Sequence, residues 1–246
     1  MWEFTLYGLL LSVIALGPIL GFFTYKVDFK GNLWIVFILG GIIWFLALIA
    51  RTPLLLLRSL FPLELVYYAY ASILAGLFEE LFRYFFMKRW GKFRKSKAHV
   101  LSMGLGWGFF EALIIYVSSI ILIAIFLDLD ASIPELPSYT SPHEFFVGGL
   151  AGAFERWVAV LLHVSLTFLI FQALRRKMYL YLAIAIHAAV DFVAVTVAYL
   201  TQSIILTELV ITVFALMVAF YALKVLQVSE YVPEESYLSA SEIYQN

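Results

Sequence analysis

Long apolar runs, separated by short polar segments, extend along almost the whole chain. Seven of them are close to or longer than the roughly 20 residues that a helix needs to cross a bilayer. The runs are continuously apolar and do not alternate with polar residues, which favours helices over a transmembrane barrel. The predicted spans are residues 4–25, 33–50, 60–87, 100–127, 145–173, 178–200 and 204–223.

This pattern predicts an all-α fold, a polytopic membrane protein with seven transmembrane helices. We expect residues 1–228 to form one seven-helix transmembrane domain, because no internal repeat divides them. Residues 229–246 are acidic and polar, and a segment of this composition buries too little apolar surface to fold. They are predicted to form a solvated cytoplasmic tail.

Composition agrees with a membrane protein and excludes several function classes. Hydrophobic residues make up 64% of the chain and charged residues 13%, whereas soluble domains are roughly 25% charged. The formal net charge of −1 provides no field for binding nucleic acid, so no nucleic-acid partner is expected. The absence of cysteine excludes disulfides, thiolate metal sites and a cysteine nucleophile.

The distribution of lysine and arginine predicts the orientation, because basic loops face the cytoplasm. Basic residues are concentrated in the loop from Lys88 to Lys97 and in the loop from Arg175 to Lys177. The loop after the fourth span has only acids, and Arg51 and Arg58 are assigned to an outer loop. We therefore predict an integral plasma-membrane protein with its N-terminus outside and its C-terminus in the cytoplasm.

Several ionisable residues lie inside the predicted spans, where a charge costs roughly 2.5–3.5 kcal/mol at the helix centre. They come from four different helices and, at about 1.5 Å of rise per residue, lie roughly 14–21 Å from the basic loops. This shared depth predicts one polar pocket that opens toward the cytoplasm. The residues at this depth are Glu79, Glu111, His163 and His187, with Glu80 next to Glu79 and Asp191 one helical turn from His187.

These residue types are those of a hydrolytic metal site. Zinc in such a site takes three histidine or carboxylate ligands and leaves one position open, with a carboxylate nearby to accept a proton from water. His163, His187 and one or two of Glu79, Glu80 and Glu111 provide this set. A metal-free glutamate–histidine pair that activates water remains open as well. Asp191 follows His187 by one helical turn and could orient its imidazole.

Each residue also has a structural interpretation. Glu79 or Glu80 could pair with Arg83 on the same helix, and His163 could be an interhelical hydrogen-bond donor. His187 and Asp191 could form a polar clamp. Outside this group, Glu155 and Arg156 are interpreted as a structural ion pair near the outer surface, and Glu208 as an interfacial residue.

Three segments, "FEELFRY", "GLGWGFFEAL" and "FERWVAVLLHVSLTFLIFQALRRKMYLYLAIAIHAAVDF", together resemble the glutamate-type intramembrane protease superfamily. It includes the CAAX prenyl endopeptidase and bacteriocin-processing family, the PrsW family and the YhfC family. The resemblance implies a zinc-dependent peptidase that acts on a membrane-embedded or lipid-anchored protein substrate in the bilayer. It implies Glu79 as general base, Glu80, Glu111, His163 and His187 as candidate metal ligands or water-positioning groups, and Asp191 as the residue that orients His187.

The chain departs from these families at two places. YhfC-like sequences often have histidine where this chain has Trp107, and the first motif is E-E-x-x-R, one residue shorter than in the CAAX endopeptidase pattern. Both departures put the ligand set in question.

The chain also resembles the anterior-pharynx-defective subunit of γ-secretase, in "LGPILGFF", "LLH" and "IAIH". That resemblance implies a non-catalytic scaffold with a partner such as a presenilin-like aspartyl protease. The retained acids Glu79, Glu111 and Asp191 favour an enzyme. A proton- or ion-coupled transporter is a third possibility, but inverted repeats and broken helices are not evident.

Overall fold

The computed structural model describes residues 2–27, 31–130, 139 and 141–228. In this part of the chain, all the regular structure is helical, and seven helices are long and apolar enough to cross a membrane. The prediction of an all-α protein with seven candidate spans is confirmed. The proposed tail, residues 229–246, lies outside the described residues. The helices are α1 (Glu3–Val27), α2 (Gly31–Leu55), α3 (Glu64–Arg89), α4 (Lys97–Glu111), α5 (Ser118–Asp128), α6 (Pro142–Ala173), α7 (Met178–Thr201) and α8 (Ile204–Val228).

The second span is longer than predicted. α2 continues to Leu55 and is followed by a 3₁₀ turn at Leu56–Leu60, so α3 begins only at Glu64. The assignment of Arg51 to an outer loop is therefore wrong. The helix continues through Thr52 and Pro53 into a leucine run, and the Arg51 side chain is 15% exposed and contacts Glu79 inside the bundle.

The fourth span is one helical rod with an irregular centre. A π-helical segment, Ala112–Val117, joins α4 to α5 and begins directly after Glu111. Such π segments are rare and often occur at functional sites, because the extra residue per turn changes the direction of nearby side chains. The segment therefore affects how Glu111 is presented to the bundle.

Glycines in "GLGWG" let α4 approach its neighbours closely. A Cβ atom on Gly106 would lie 1.9 Å from the carbonyl oxygen of Phe37 in α2. One on Gly104 would lie 2.9 Å from the Cα atom of Val164 in α6. Gly108 is next to Val160 of α6 in the same way, so Gly104 and Gly108 form a G-x-x-x-G contact with α6. α4 therefore packs closely against both α2 and α6.

The bundle has large apolar residues both inside and outside, as expected for a protein whose surface faces lipid. Trp44, Trp107 and Leu166 are fully buried, whereas Leu209 and Phe220 of α8 are 57% and 62% exposed. Glu79, Glu80 and Arg83 are nevertheless at most 2% exposed. The interior therefore contains charged groups, while the surface of the spans is apolar.

Candidate active site

A polar cavity of about 290 Å³ lies among α2, α3, α4, α6, α7 and α8. It brings together ionisable side chains that are up to 140 residues apart in sequence, from Arg51 to Asp191. Among the residues expected at the site, Glu80 alone does not line the cavity. The ionisable residues of its wall are Arg51, Glu79, Glu111, Glu155, Arg156, His163, His187 and Asp191.

Two groups from other helices hold Glu79 in α3. Arg51 of α2 places its Nη1 atom 2.8 Å from Oε1 of Glu79. The indole N–H of Trp107 in α4 donates to Oε2 over 3.0 Å. Glu79 is 2% exposed, so the carboxylate is buried with a cation on one oxygen and a neutral donor on the other. This arrangement stabilises its charged form and restricts its orientation.

Glu80 belongs to a second layer behind the cavity wall. Both of its oxygens lie 2.5 Å from Nη1 of Arg83, one turn further along α3. Its Oε1 also accepts from Nδ1 of His187 over 2.7 Å. Glu80 and Arg83 are both 0% exposed. Glu80 therefore joins a buried ion pair to a cavity histidine.

His163 of α6 lies between an arginine and a carboxylate. Arg83 donates to its Nδ1 atom over 3.2 Å, and its Nε2 atom is 2.7 Å from Oε2 of Glu111. Arg156 approaches the other oxygen of Glu111 at 3.6 Å and also pairs with Glu155. Glu111 is thus partnered from α6 alone, by an imidazole and a guanidinium.

Asp191 is the least enclosed acid of the group. Its side chain is 37% exposed, and Oδ2 lies 3.6 Å from Nε2 of His187, beyond hydrogen-bond distance. Within the described ranges, no hydrogen bond to this carboxylate is found. His187 is oriented by Glu80 on its Nδ1 side, whereas Asp191 faces its Nε2 side.

Ligand atoms of Glu79, Glu111 and His163 all lie within 4.8 Å of one another. His187 is adjacent, since its Nε2 atom is 4.0 Å from Oε2 of Glu79. Two carboxylates and two imidazoles are a donor set that zinc and similar divalent ions accept. The residues present therefore fit a divalent metal.

The hydrogen bonds assign different tautomers to the two histidines. Arginine can only donate, so Nδ1 of His163 accepts and the proton of a neutral ring lies on Nε2, toward Glu111. The carboxylate of Glu80 can only accept, so Nδ1 of His187 donates, and in a neutral ring Nε2 would keep a lone pair toward the cavity. Hydrogen bonding therefore favours His187 as the metal-binding imidazole, although His163 is the histidine whose ligand atom lies within 4.8 Å of those of Glu79 and Glu111.

The cavity extends away from the basic loops, contrary to the expected opening toward them. Glu79, His163 and His187 line its deep end, and Arg51, Glu155 and Ala194 line the part further from the basic loops. On the basic-loop side, the fully buried Arg83 lies with its guanidinium carbon 4.1 Å from the ring centroid of Trp107. Arg83 and Trp107 each lie one helical turn nearer to the basic loops than Glu79 and Glu111, respectively.

Three groups that contact the acids are not expected from the sequence: Arg51, Trp107 and Arg156. The sequence pattern places Arg51 outside the spans, gives Trp107 only as a departure from a motif, and pairs Arg156 with its neighbour Glu155. The leucine run at 54–57, which follows Thr52 and Pro53, is the signal that favours a longer second helix.

The chain matches a known protein family over most of its length. A family model described as YhfC intramembrane metalloprotease matches residues 11–216. This range includes all six site residues expected from the sequence. No curated protein matches the chain.

Proposed function

We propose, from the premise that the chain belongs to the YhfC intramembrane metalloprotease family, that it is a metal-dependent peptidase which hydrolyses a peptide bond of a membrane-embedded or lipid-anchored protein. The observation that best supports this proposal is the meeting of Glu79, Glu111 and His163 in one cavity, with ligand atoms within 4.8 Å. Charged groups inside a membrane are costly in free energy. The convergence of such residues from three helices on one point therefore favours a common functional role.

Glu79, Glu111 and His187 are our proposed metal ligands, and zinc is the metal we expect. A divalent metal at this position would activate water and polarise the scissile carbonyl group. In its neutral form, His187 would present the lone pair of Nε2 to a cation, beside the two fixed carboxylates. His163 would bind the metal through Nε2 only if its proton moved to Nδ1. The guanidinium of Arg83 donates to Nδ1 and so disfavours a proton there.

Glu80 then has a positioning role in place of the ligand role predicted from the sequence. Its oxygens already bind Arg83 and His187, and it does not line the cavity. A carboxylate that accepts from the second nitrogen of a ligand histidine fixes the tautomer and the direction of the ring.

Asp191 is the proposed general base. It lines the cavity and is more exposed than the other site carboxylates, so it can contact water directly. Glu79, the base predicted from the sequence, has both oxygens occupied by Arg51 and Trp107, which suits a fixed ligand better than a group that must accept and release a proton.

The test separates these two roles with matched amide variants. Glu79→Gln should lose both metal and cleavage, whereas Asp191→Asn should keep the metal and lose cleavage by at least about a hundredfold. Metal content is measured on purified protein, and cleavage on a co-expressed membrane substrate. Glu64→Gln, at the outer end of α3, is the control for folding. Full cleavage by both site variants would contradict the proposal.

A non-catalytic scaffold is the second candidate, because Arg51 and Arg156 already place positive charge beside Glu79 and Glu111. Such a protein would assemble with another membrane protein, for example a presenilin-like protease, and would need no metal. Purified protein without bound metal, together with a stable partner that is lost on Arg51→Gln substitution, would favour this role.

The predicted plasma-membrane location and outward N-terminus belong to the same proposal. The chain is an integral membrane protein by its seven apolar helices and its family. If the basic loops are cytoplasmic, the cavity opens toward the outer side of the membrane. A substrate would then be cut in the outer half of the bilayer.

A further inference from the structure

A groove between α6 and α8 lies on the lipid-facing side of the bundle, next to the candidate site. It has a volume of about 360 Å³. Its α6 wall is formed by Ala151, Phe154, Glu155 and Val158, which are spaced i, i+3, i+4 and i+7 and so form one stripe of that helix. The groove is therefore a continuous surface along a helix.

The α8 wall repeats this spacing with Ile205, Glu208, Leu209 and Thr212. Ile205 is 76% exposed and Leu209 is 57% exposed, so the groove is open to the surroundings of the bundle. Two parallel apolar stripes with a trough between them have the shape that accepts an added helix or extended segment.

The groove adjoins the catalytic cavity through one residue. Glu155 lines both, and it pairs with Arg156, whose guanidinium lies 3.6 Å from Glu111 of the site. A segment lying in the α6–α8 groove would thus be separated from the cluster by a single ion pair.

Glu208 gives the groove its chemical preference. Its carboxylate makes no hydrogen bond and no close ion pair with another described residue, and Arg156 acts on it only from a longer distance. It lies on the same groove as Glu155, and an acid near the end of a span without a close cation can receive a basic side chain from a bound segment. Glu208 is about one turn from the outer end of α8, the level at which lysine or arginine residues flank transmembrane segments.

We propose that the α6–α8 groove binds the substrate, an apolar transmembrane segment with a lysine or arginine at its outer boundary, and that Glu208 pairs with that basic residue. This inference rests on the proposed peptidase function and specifies its substrate. A lipid acyl chain would fill the trough as well, but a lipid contact gives no preference among peptides that differ in their boundary charge.

Cross-linking tests the groove without requiring cleavage. The chain has no cysteine, so Leu209→Cys provides a single thiol in the groove. Leu9→Cys in α1 is the matched control, a leucine that is 51% exposed and lines neither cavity. Both are made with Glu79→Gln, to prevent turnover, and are oxidised with apolar transmembrane peptides that contain one cysteine.

The peptides have Lys, Gln or Glu at the outer boundary. The Lys peptide should cross-link to the Leu209→Cys variant about tenfold faster than the Gln peptide, and Glu208→Gln should remove this preference. Glu208→Lys should transfer the preference to the Glu peptide. Equal rates for all three peptides, or equal cross-linking at the Leu9→Cys control, would overturn the proposal and leave the groove as a lipid contact.

Cleavage is measured separately on the same peptides with unmodified Glu79. A peptide that cross-links with the expected charge preference but is never cut would contradict the peptidase function and leave the groove as a binding site. A peptide that is cut equally well by the Glu208→Gln variant and does not cross-link would overturn the groove proposal alone.

Discussion

At the scale of single residues, the hydrogen-bond partner of His187 differs from the one that helical spacing predicts. Asp191 is one helical turn away, yet it lies 3.6 Å from Nε2 and makes no hydrogen bond. Glu80, from another helix, accepts from Nδ1 over 2.7 Å. Helical spacing brings two residues onto one face, but it does not direct their polar atoms toward each other.

The contact from Glu80 leads to a prediction about metal affinity. Glu80→Gln should weaken metal binding by about 10–100-fold, because the amide no longer fixes His187 with Nδ1 protonated. Competition with a chromophoric chelator measures the affinity. Glu64→Gln should leave it unchanged, since Glu64 pairs with Arg58 far from the site. An unchanged affinity in Glu80→Gln would contradict the positioning role.

Trp107 leads to a prediction about stability. Trp107→Phe keeps an aromatic face for Arg83 but removes the N–H group that donates to Glu79. The lost donor should lower the free energy of unfolding by about 1–3 kcal/mol, because a buried carboxylate oxygen loses a partner. Thermal unfolding in detergent measures this change. Trp2→Phe, at a position that is 53% exposed, should have little effect.

At the scale of helices, the glycines of α4 determine how closely the elements that hold the site can approach. α4 supplies Trp107 and ends at Glu111, so its distance from α2 and α6 sets the position of both groups. The glycine spacing in the sequence predicted close packing but did not identify the partner helices. Those depend on how the spans are arranged around one another.

Substitution of Gly106 provides the corresponding prediction. Gly106→Ala would place a methyl group 1.9 Å from the Phe37 carbonyl oxygen, so α2 and α4 must separate. We expect a loss of about 1–3 kcal/mol in unfolding free energy and a larger loss of metal affinity than of stability. Gly21→Ala is the control, because no atom lies within 4 Å of its added Cβ. Equal stability of the two variants would show that α4 tolerates displacement.

At the scale of the whole molecule, the direction of the cavity is the main result that the sequence did not predict. Distances along the helices from the basic loops place the acids and histidines at a similar depth. Five of these residues line one cavity, which agrees with that shared depth. The opening was then expected on the nearer side. The buried Arg83–Trp107 stack lies on that side of the cluster, whereas the cavity wall continues through Arg51, Glu155 and Ala194 on the other side.

Single cysteines test this geometry in the native membrane. Ala194→Cys in the cavity wall should react with a small membrane-impermeant thiol reagent from the same side as Leu129→Cys, at the exposed end of α5. Lys92→Cys, in the basic loop, should react from the opposite side. Labelling of intact cells and of inverted vesicles distinguishes the two sides. Reaction of Ala194→Cys from the Lys92 side would show that the cavity opens toward the basic loops.

The sequence by itself determined the helical class, the seven spans and the approximate depth of the site residues. These are local properties, because bilayer thickness fixes the length of an apolar run and a helix has a constant rise per residue. Span ends were less certain, as Arg51 shows, since an apolar loop and an apolar helix end have similar composition.

Only the tertiary structure decided which groups meet. Three contacts at the site join residues of different helices, and each depends on the rotation of a helix about its own axis. They are Arg51 with Glu79, Arg83 with His163, and Glu80 with His187. Nearly continuous apolar spans have no strongly polar face to determine that rotation from sequence. It is set by packing contacts such as those of Gly104 and Gly106, which act between distant parts of the chain.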